Sequence, residues 1–422
     1  MPIEELIGWI VVSGCAFLNL ANILHDKAEV GLDVQVLGKL GLIGVGALYG
    51  FCGLLTRRGV WRMLLSFPIV WLLIIVAFYF AAIPTSISPP NSLVSSCSIV
   101  AILLMMLTAL DHLGVMNTIK AIFLGTAMFI IGSWIFFIAI PDIGIFPEPI
   151  GDGEFIYRMS GLAHPNTLGQ YSGLTFVLCT ILYFSYRQRS AFMLLVGVLA
   201  LGALINSLSR TSLMASVMAL AVGYRHIFIK KEHLTKYMLA FTLVLVGILM
   251  VSTQVDLGQA ISSKLGLLSK SGGAEELTTA TGRSEIWAYA IYLIQQQPLT
   301  GYGAATQKYF LIDHSLYTHN MVLNIAFSGG IFAGLAGLLM ILGRLRTLFF
   351  KGHPLVDSLL VFLVINGLFE NVIFSILAGL PTMVWVIVLA WPLLKDDPAV
   401  KLLDRTERVG EERSRYIRLE SL

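Results

Sequence analysis

Charge is what this chain of 422 residues has least of. Asp, Glu, Lys and Arg make up 13% of it while hydrophobic residues reach 57%, against roughly 25% charged in an ordinary soluble protein. With a mean hydropathy of +0.82, that scarcity excludes a soluble globular domain and leaves a membrane protein. The net charge of +3 supplies no basic face for nucleic acid, so no nucleic-acid partner is expected. Cysteine is sparse as well. Cys15, Cys52, Cys97 and Cys179 show no metal-ligand spacing, and thiols inside apolar runs are expected to be buried. A basic leader is missing too: MPIEEL carries two Glu and no Lys or Arg. Although Val12-Ser13-Gly14-Cys15 resembles a lipoprotein cleavage box, the first helix is therefore expected to be retained.

What is present is a series of apolar runs. About twelve are of spanning length, beginning near Leu6, Val36, Met63, Leu93, Thr118, Thr167, Ala191, Ser212, Tyr237, Asn320, Leu355 and Pro381. The expected class is all-α, a polytopic integral membrane protein. Its Lys and Arg follow the topology. Arg57, Arg58, Arg62, Arg187, Arg189, Lys230, Lys231, Arg344 and Arg346 fall with the basic tail on one side, whereas the other side has only scattered cations such as Arg158, Arg210, Arg283 and Lys308. This bias predicts that both termini are cytoplasmic. Three regions are expected: a five-span scaffold over 1–140, a catalytic region over 141–394, and a cytoplasmic tail over 395–422. The catalytic region includes a long outward loop, 253–318, with a short interfacial helix.

The outward segments hold the residues of chemical interest. Residues 141–165, PDIGIFPEPIGDGEFIYRMSGLAHP, read as an ordered but irregular lid because of their Pro and Gly content. Arg158, His164 and Asn166 stand at its end, and a single Arg there is ordinarily an interfacial anchor. In INSLSRTS, Ser209 or Thr211 can cap a helix that has Arg210 at its start. A cation there opposes both the helix dipole and the charge bias, and a bound anion would compensate for both. From Arg283 to Gln297 a helical period puts Ile286, Ala290, Leu293 and Ile294 on one side and Pro298 at the stop, too short to span and suited to the interface. His319 and Asn320 open the next span with Thr318 as a possible cap. Glu370 and Asn371 add a carboxylate in an apolar run, which either orients His319 or pairs with an Arg.

Two Arg at helix starts on one membrane face suit a pyrophosphate, and a neutral His beside them could take a proton from a sugar hydroxyl. A pyrophosphate leaves as an anion, so no general acid is required. With no paired carboxylates of DxD type on the outward loops, neither a metal nor another cofactor is expected.

These residues carry a resemblance. RMSGLAHPNTLGQ, SLSRTSL, TGRSEIW with PLTGYG, and THNMVLNIAFSGGIFAG are similar to the successive motifs of the bacterial O-antigen ligase and polymerase superfamily, membrane glycosyltransferases of GT-C type. Ligases of that family show a His, then Asn, Ser or Gln, then nine residues and GxxG. Here Gly330 is in place, but Ala333 stands where the last Gly, Thr or Tyr is expected, and Gly334 follows. The resemblance implies that His319 is the base and that Arg210 and Arg283 hold the pyrophosphate. Asn320, Glu370, Arg158, His164 and Asn166 are possible supporting residues. It implies metal-independent, inverting transfer of a glycan from undecaprenyl pyrophosphate at the periplasmic face of a bacterial inner membrane. The acceptor would be lipid A-core for a ligase, a second lipid-linked glycan for a polymerase, or a protein hydroxyl. A lipid-linked oligosaccharide flippase is the rival from another class, but such transporters usually hold their polar sites at the bilayer midplane between repeats, and the unusual charges here lie at one face.

Overall fold

The computed structural model describes residues 2–17, 34–151, 154–186, 188, 190–225, 283–311, 317–349, 353–370 and 377–394. In chain order the main elements are α1 (Ile3–Phe17), α2 (Val34–Thr56), α3 (Arg58–Leu64), α4 (Phe67–Ala81), α5 (Pro89–His112), α6 (Gly114–Ala139), β1 (Ile145–Gly151), β2 (Glu154–Met159), α7 (Pro165–Phe184), α8 (Ala191–Asn206), α9 (Arg210–Gly223), α10 (Arg283–Gln296), α11 (Met321–Leu345), α12 (Pro354–Phe369) and α13 (Leu380–Leu394). Among the described residues, six helical stretches are long and apolar enough to cross a membrane, and α8, α9, α12 and α13 are shorter apolar helices. The chain is an integral membrane protein. The ninth span expected near Tyr237, residues 253–282 of the long outward loop, Asn371 and the tail 395–422 lie outside the described residues.

Close helix contacts explain how so apolar a chain packs without a hydrophobic drive between helices in lipid. Gly46, Gly50 and Gly53 form a small-residue stripe on α2, and a Cβ at Gly50 would come within 2.6 Å of the Met105 backbone nitrogen on α5. Helix α13 is apolar all round and buries nearly every residue, Trp385 among them, which makes it an interior helix. The expectation of buried thiols holds for Cys15 and Cys179, whereas Cys52 and Cys97 are exposed on their helices.

Three expectations need correction. The span placed near Met63 is two helices, because α3 stops at Leu65 and Ser66 and α4 restarts with Pro68 in its first turn. Proline has no N–H to place in the interior of a helix but fits its start. The expected irregular lid contains a hairpin, so the mostly helical fold is not strictly all-α. β1 and β2 pair antiparallel with Phe146 opposite Arg158 and Glu148 opposite Ile156. The sequence Gly151-Asp152-Gly153 between them is a turn signal.

The third correction concerns α11, read from the sequence as one span. It breaks at Gly330, whose φ of 83° and ψ of 177° are not helical. The break frees the carbonyls of Phe327 and Ser328 from their helical partners, and in a membrane each must find a donor. The loop after α10 supplies both: Tyr302 N–H donates to Phe327 O at 2.8 Å and Gly303 N–H to Ser328 O at 3.0 Å, while Ile331 N–H donates to Pro298 O at 2.7 Å. Gln307 adds side-chain bonds to Asn324 and, at 3.2 Å, to Ser328. The PLTGYG stretch is thus a plug for a broken helix as well as a turn.

A side chain at Gly330 would overlap the Leu299 carbonyl oxygen and adopt a left-handed φ. Gly330→Ala is therefore expected to lower stability by about 1–3 kcal/mol or more. Gly343→Ala, also in α11 but with nothing within 4 Å of the added methyl, should be neutral or slightly stabilising. Thermal unfolding in detergent compares the two, and equal melting temperatures would refute the account of the break.

Candidate active site

Helix α12 ends at Asn366-Gly367-Leu368-Phe369, after which Glu370 takes an extended conformation with its N–H bonded to Asn366 O at 2.7 Å. Its carboxylate is the centre of the site. Oε1 accepts from Arg283 Nη2 at 2.7 Å and from Asn166 Nδ2 at 3.2 Å, and Oε2 lies 3.0 Å from His319 Nδ1. Four separate elements meet there: the first turn of α7, the first residue of α10, the approach to α11 and the end of α12. Sequence reasoning left two roles open for Glu370, orienting His319 or pairing with an Arg, and the structure has it do both.

His319 is not at the helix start itself. Asn320 is the N-cap of α11, its Oδ1 accepting from the N–H groups of Val322 and Leu323 at 3.0 Å, and His319 precedes it with a φ of 48°. Thr318 does not cap; its hydroxyl donates to Asn320 O. Asn320 Nδ2 also donates to Leu368 O at 3.2 Å, which ties this turn to the end of α12. The strained backbone at His319 is thereby held from both sides.

Arg158 is neither an exposed anchor nor a free ligand. It is 1% exposed and its guanidinium is shared among three acceptors: Glu148 Oε2 at 2.6 Å, Asn166 Oδ1 at 2.8 Å and Ser207 O at 2.8 Å. Asn166 thus passes the contact on, accepting from Arg158 and donating to Glu370. The bond to Ser207 O fixes the turn that carries Arg210 into the first position of α9. That turn is tight: Leu208 has a φ of 51°, and a side chain at Gly169 on α7 would overlap Ser209. Ser209 stands at the N-cap of α9 without capping it; its hydroxyl donates to Ser212, which donates to Asn366 Oδ1 at 3.1 Å. Arg210 follows Ser209 as the first residue of α9 and is half-buried. His164 caps α7 through Asn166 N–H and packs edge-on against Phe146.

Helix α10 buries Ile286, Ala290, Leu293 and Ile294, the face its period indicates, and this seats Arg283. The guanidinium carbon lies 5.8 Å from the Phe369 ring centre, a cation–π contact. With one of its five N–H donors on Glu370, Arg283 keeps capacity for an anion.

Burial pushes the Glu370 carboxyl up, but the His319 hydrogen bond and the charges of His319, Arg283 and His164 outweigh it and hold it below the ordinary glutamate value. An ionised Glu370 accepts and cannot donate, so His319 presents Nδ1–H to it. In the neutral imidazole this leaves Nε2 as the nitrogen able to accept a proton. Glu148, Ser207 and Asn366 were not singled out from the sequence. Their roles depend on the hairpin and on helix contacts far apart in the chain.

Residues 195–339 match the family model described as O-Antigen ligase. This stretch includes Arg210, Arg283, His319, Asn320 and Gly330, and it ends before Glu370. No curated protein and no solved structure matches the chain.

Two outcomes are expected. A carboxyl with a depressed folded-state value contributes stability that is complete above the unfolded glutamate value of about 4.3 and is lost as pH falls through its own lower value. Melting temperature followed below pH 5 should therefore fall less steeply in Glu370→Gln than in the parent; parallel curves would show that the carboxylate is not held this way. Arg158→Met removes the donor that Glu148, Asn166 and Ser207 O share and should cost about 3–5 kcal/mol, read by chemical or thermal unfolding.

Proposed function

We propose that this chain, whose residues 195–339 match the family model described as O-Antigen ligase, is an O-antigen ligase, transferring a glycan from undecaprenyl pyrophosphate to a hydroxyl of lipid A-core at the periplasmic face of the inner membrane. The observation that carries this reading is the His319–Glu370–Arg283 cluster, with His319 Nδ1 at 3.0 Å and Arg283 Nη2 at 2.7 Å from the two oxygens of one carboxylate.

In this reading His319 Nε2 takes the proton of the acceptor hydroxyl, and that oxygen attacks the anomeric carbon of the donor. The bond from that carbon to the pyrophosphate oxygen breaks on the opposite side, which inverts the centre. Undecaprenyl pyrophosphate leaves as an anion with no proton to collect, and Arg283 and Arg210 bind it through fork-shaped donors. Glu370 holds the imidazole in the working tautomer and stabilises the imidazolium that forms. Arg158 and Asn166 act as positioning residues, the first on the Arg210 turn and the second on Glu370. Polymerisation of lipid-linked repeats is the second reading. Ala333 favours it, because it departs from the GxxG pattern of ligases and is fully buried in α11 just below the break at Gly330.

The test is in vitro transfer by purified protein with undecaprenyl-pyrophosphate glycan. His319→Ala should lose about 10²–10⁴-fold in turnover while melting like the parent, and parental turnover by a folded His319→Ala protein would remove His319 as the base. Product formed only when lipid A-core is supplied supports the ligase. Elongation with lipid-linked glycan alone supports the polymerase. Movement of the donor across a vesicle membrane without a new glycosidic bond would instead identify a flippase.

A further inference from the structure

A second cluster of buried charge lies at the other end of the same helices. Helix α12 begins at Pro354 with Asp357 in its first turn and ends at Phe369, just before Glu370. At 1.5 Å per residue, Asp357 and Glu370 are about 20 Å apart along the axis. Helices α9 and α11 likewise start at the active-site end and finish at this one, with Arg225 just beyond α9 and Arg344 in the last turn of α11. Arg225, Arg344 and Asp357 are 8%, 5% and 3% exposed.

The pairing among them is uneven. Arg225 is provided for: Nη2 is 2.6 Å from Asp357 Oδ2 and Nη1 donates to Val222 O at 2.7 Å, capping α9. Arg344 feels the charge of Asp357, but its Nε is buried with no acceptor among the described residues. Two guanidiniums thus face one carboxylate, in surroundings where an uncompensated cation is costly. Simple snorkelling does not describe this, since a snorkelling Arg keeps its head in water, as the exposed Arg346 two residues on can do.

We propose that Arg344, with Arg225 and Asp357 fixing its surroundings, binds a phosphate group at the membrane face opposite the active site. A guanidinium fork matches phosphate oxygens, and basic pockets between helices suit anionic headgroups. The chemistry is that of a phosphate mono- or diester, from a lipid headgroup or from solution. The site is independent of the transferase reading.

The experiment uses the full-length protein in nanodiscs or detergent. Binding of phosphatidylglycerol and phosphatidylcholine is measured by native mass spectrometry, with inorganic phosphate as competitor, for the parent, Arg344→Gln and Arg346→Gln. Phosphatidylglycerol should bind at least tenfold more weakly to Arg344→Gln and unchanged to Arg346→Gln. Displacement by inorganic phosphate that depends on Arg344 would name a soluble anion as the source, and absence of displacement would name the lipid. Equal phosphatidylglycerol binding by parent and Arg344→Gln, or equal binding of the zwitterionic lipid, overturns the proposal. Should Arg344→Gln fail to fold, protection of Arg344 in the parent from phenylglyoxal decides: protection by either phosphate source and not by phosphatidylcholine supports the site, and protection by neither overturns it.

Discussion

The shared carboxylate of Glu370 is the constraint from which the candidate-site end of the fold follows. A carboxylate at the C-terminal end of a helix is opposed by the helix dipole, and this one is also largely removed from water. It is stable as an anion because three donors from distant parts of the chain converge on it. That convergence sets where α7, α10 and α11 begin. The hairpin extends the same logic outward: Arg158 orients Asn166 so that its amide nitrogen faces Glu370, and Glu148 balances the charge that Arg158 brings into the interior. A chain so poor in charge uses these few ionised groups as fasteners.

Helix α12 also links the two buried clusters. One end carries the carboxylate of the candidate catalytic site and the other the carboxylate paired with Arg225. Between them its face toward α9 is close-packed, with a side chain at Gly223 overlapping Ser358 and with Ser358 Oγ donating to Ala219 O at 2.8 Å. Such contacts leave little freedom for sliding, so α12 fixes the depth of both clusters relative to one another.

Much of this was legible in the sequence where a local rule applied. The buried face of α10 followed from its period, and Pro298 marked its end. Arg283 and His319 were noticed because charge is rare in such a chain. What escaped depended on partners remote in sequence. Arg158 looks like an anchor until the hairpin turns it inward onto Ser207 O, and the hairpin was hidden by reading Pro147 and Pro149 as signs of irregular loop. The break in α11 could not be read from hydropathy, because Gly330 sits in an unbroken apolar run and its conformation is held by a loop some thirty residues earlier. The cap of α11 falls to Asn320 and not to Thr318, in keeping with the stronger capping preference of Asn.

The plug that completes α11 also fixes an order of events during biosynthesis. Chains are made from the N-terminus, so Tyr302 and Gly303 leave the ribosome before Phe327 and Ser328, whose carbonyls they satisfy. The donors are therefore already present when the broken helix enters the bilayer. With the two segments in reverse order, two backbone carbonyls would meet hydrocarbon first and wait there for their partners.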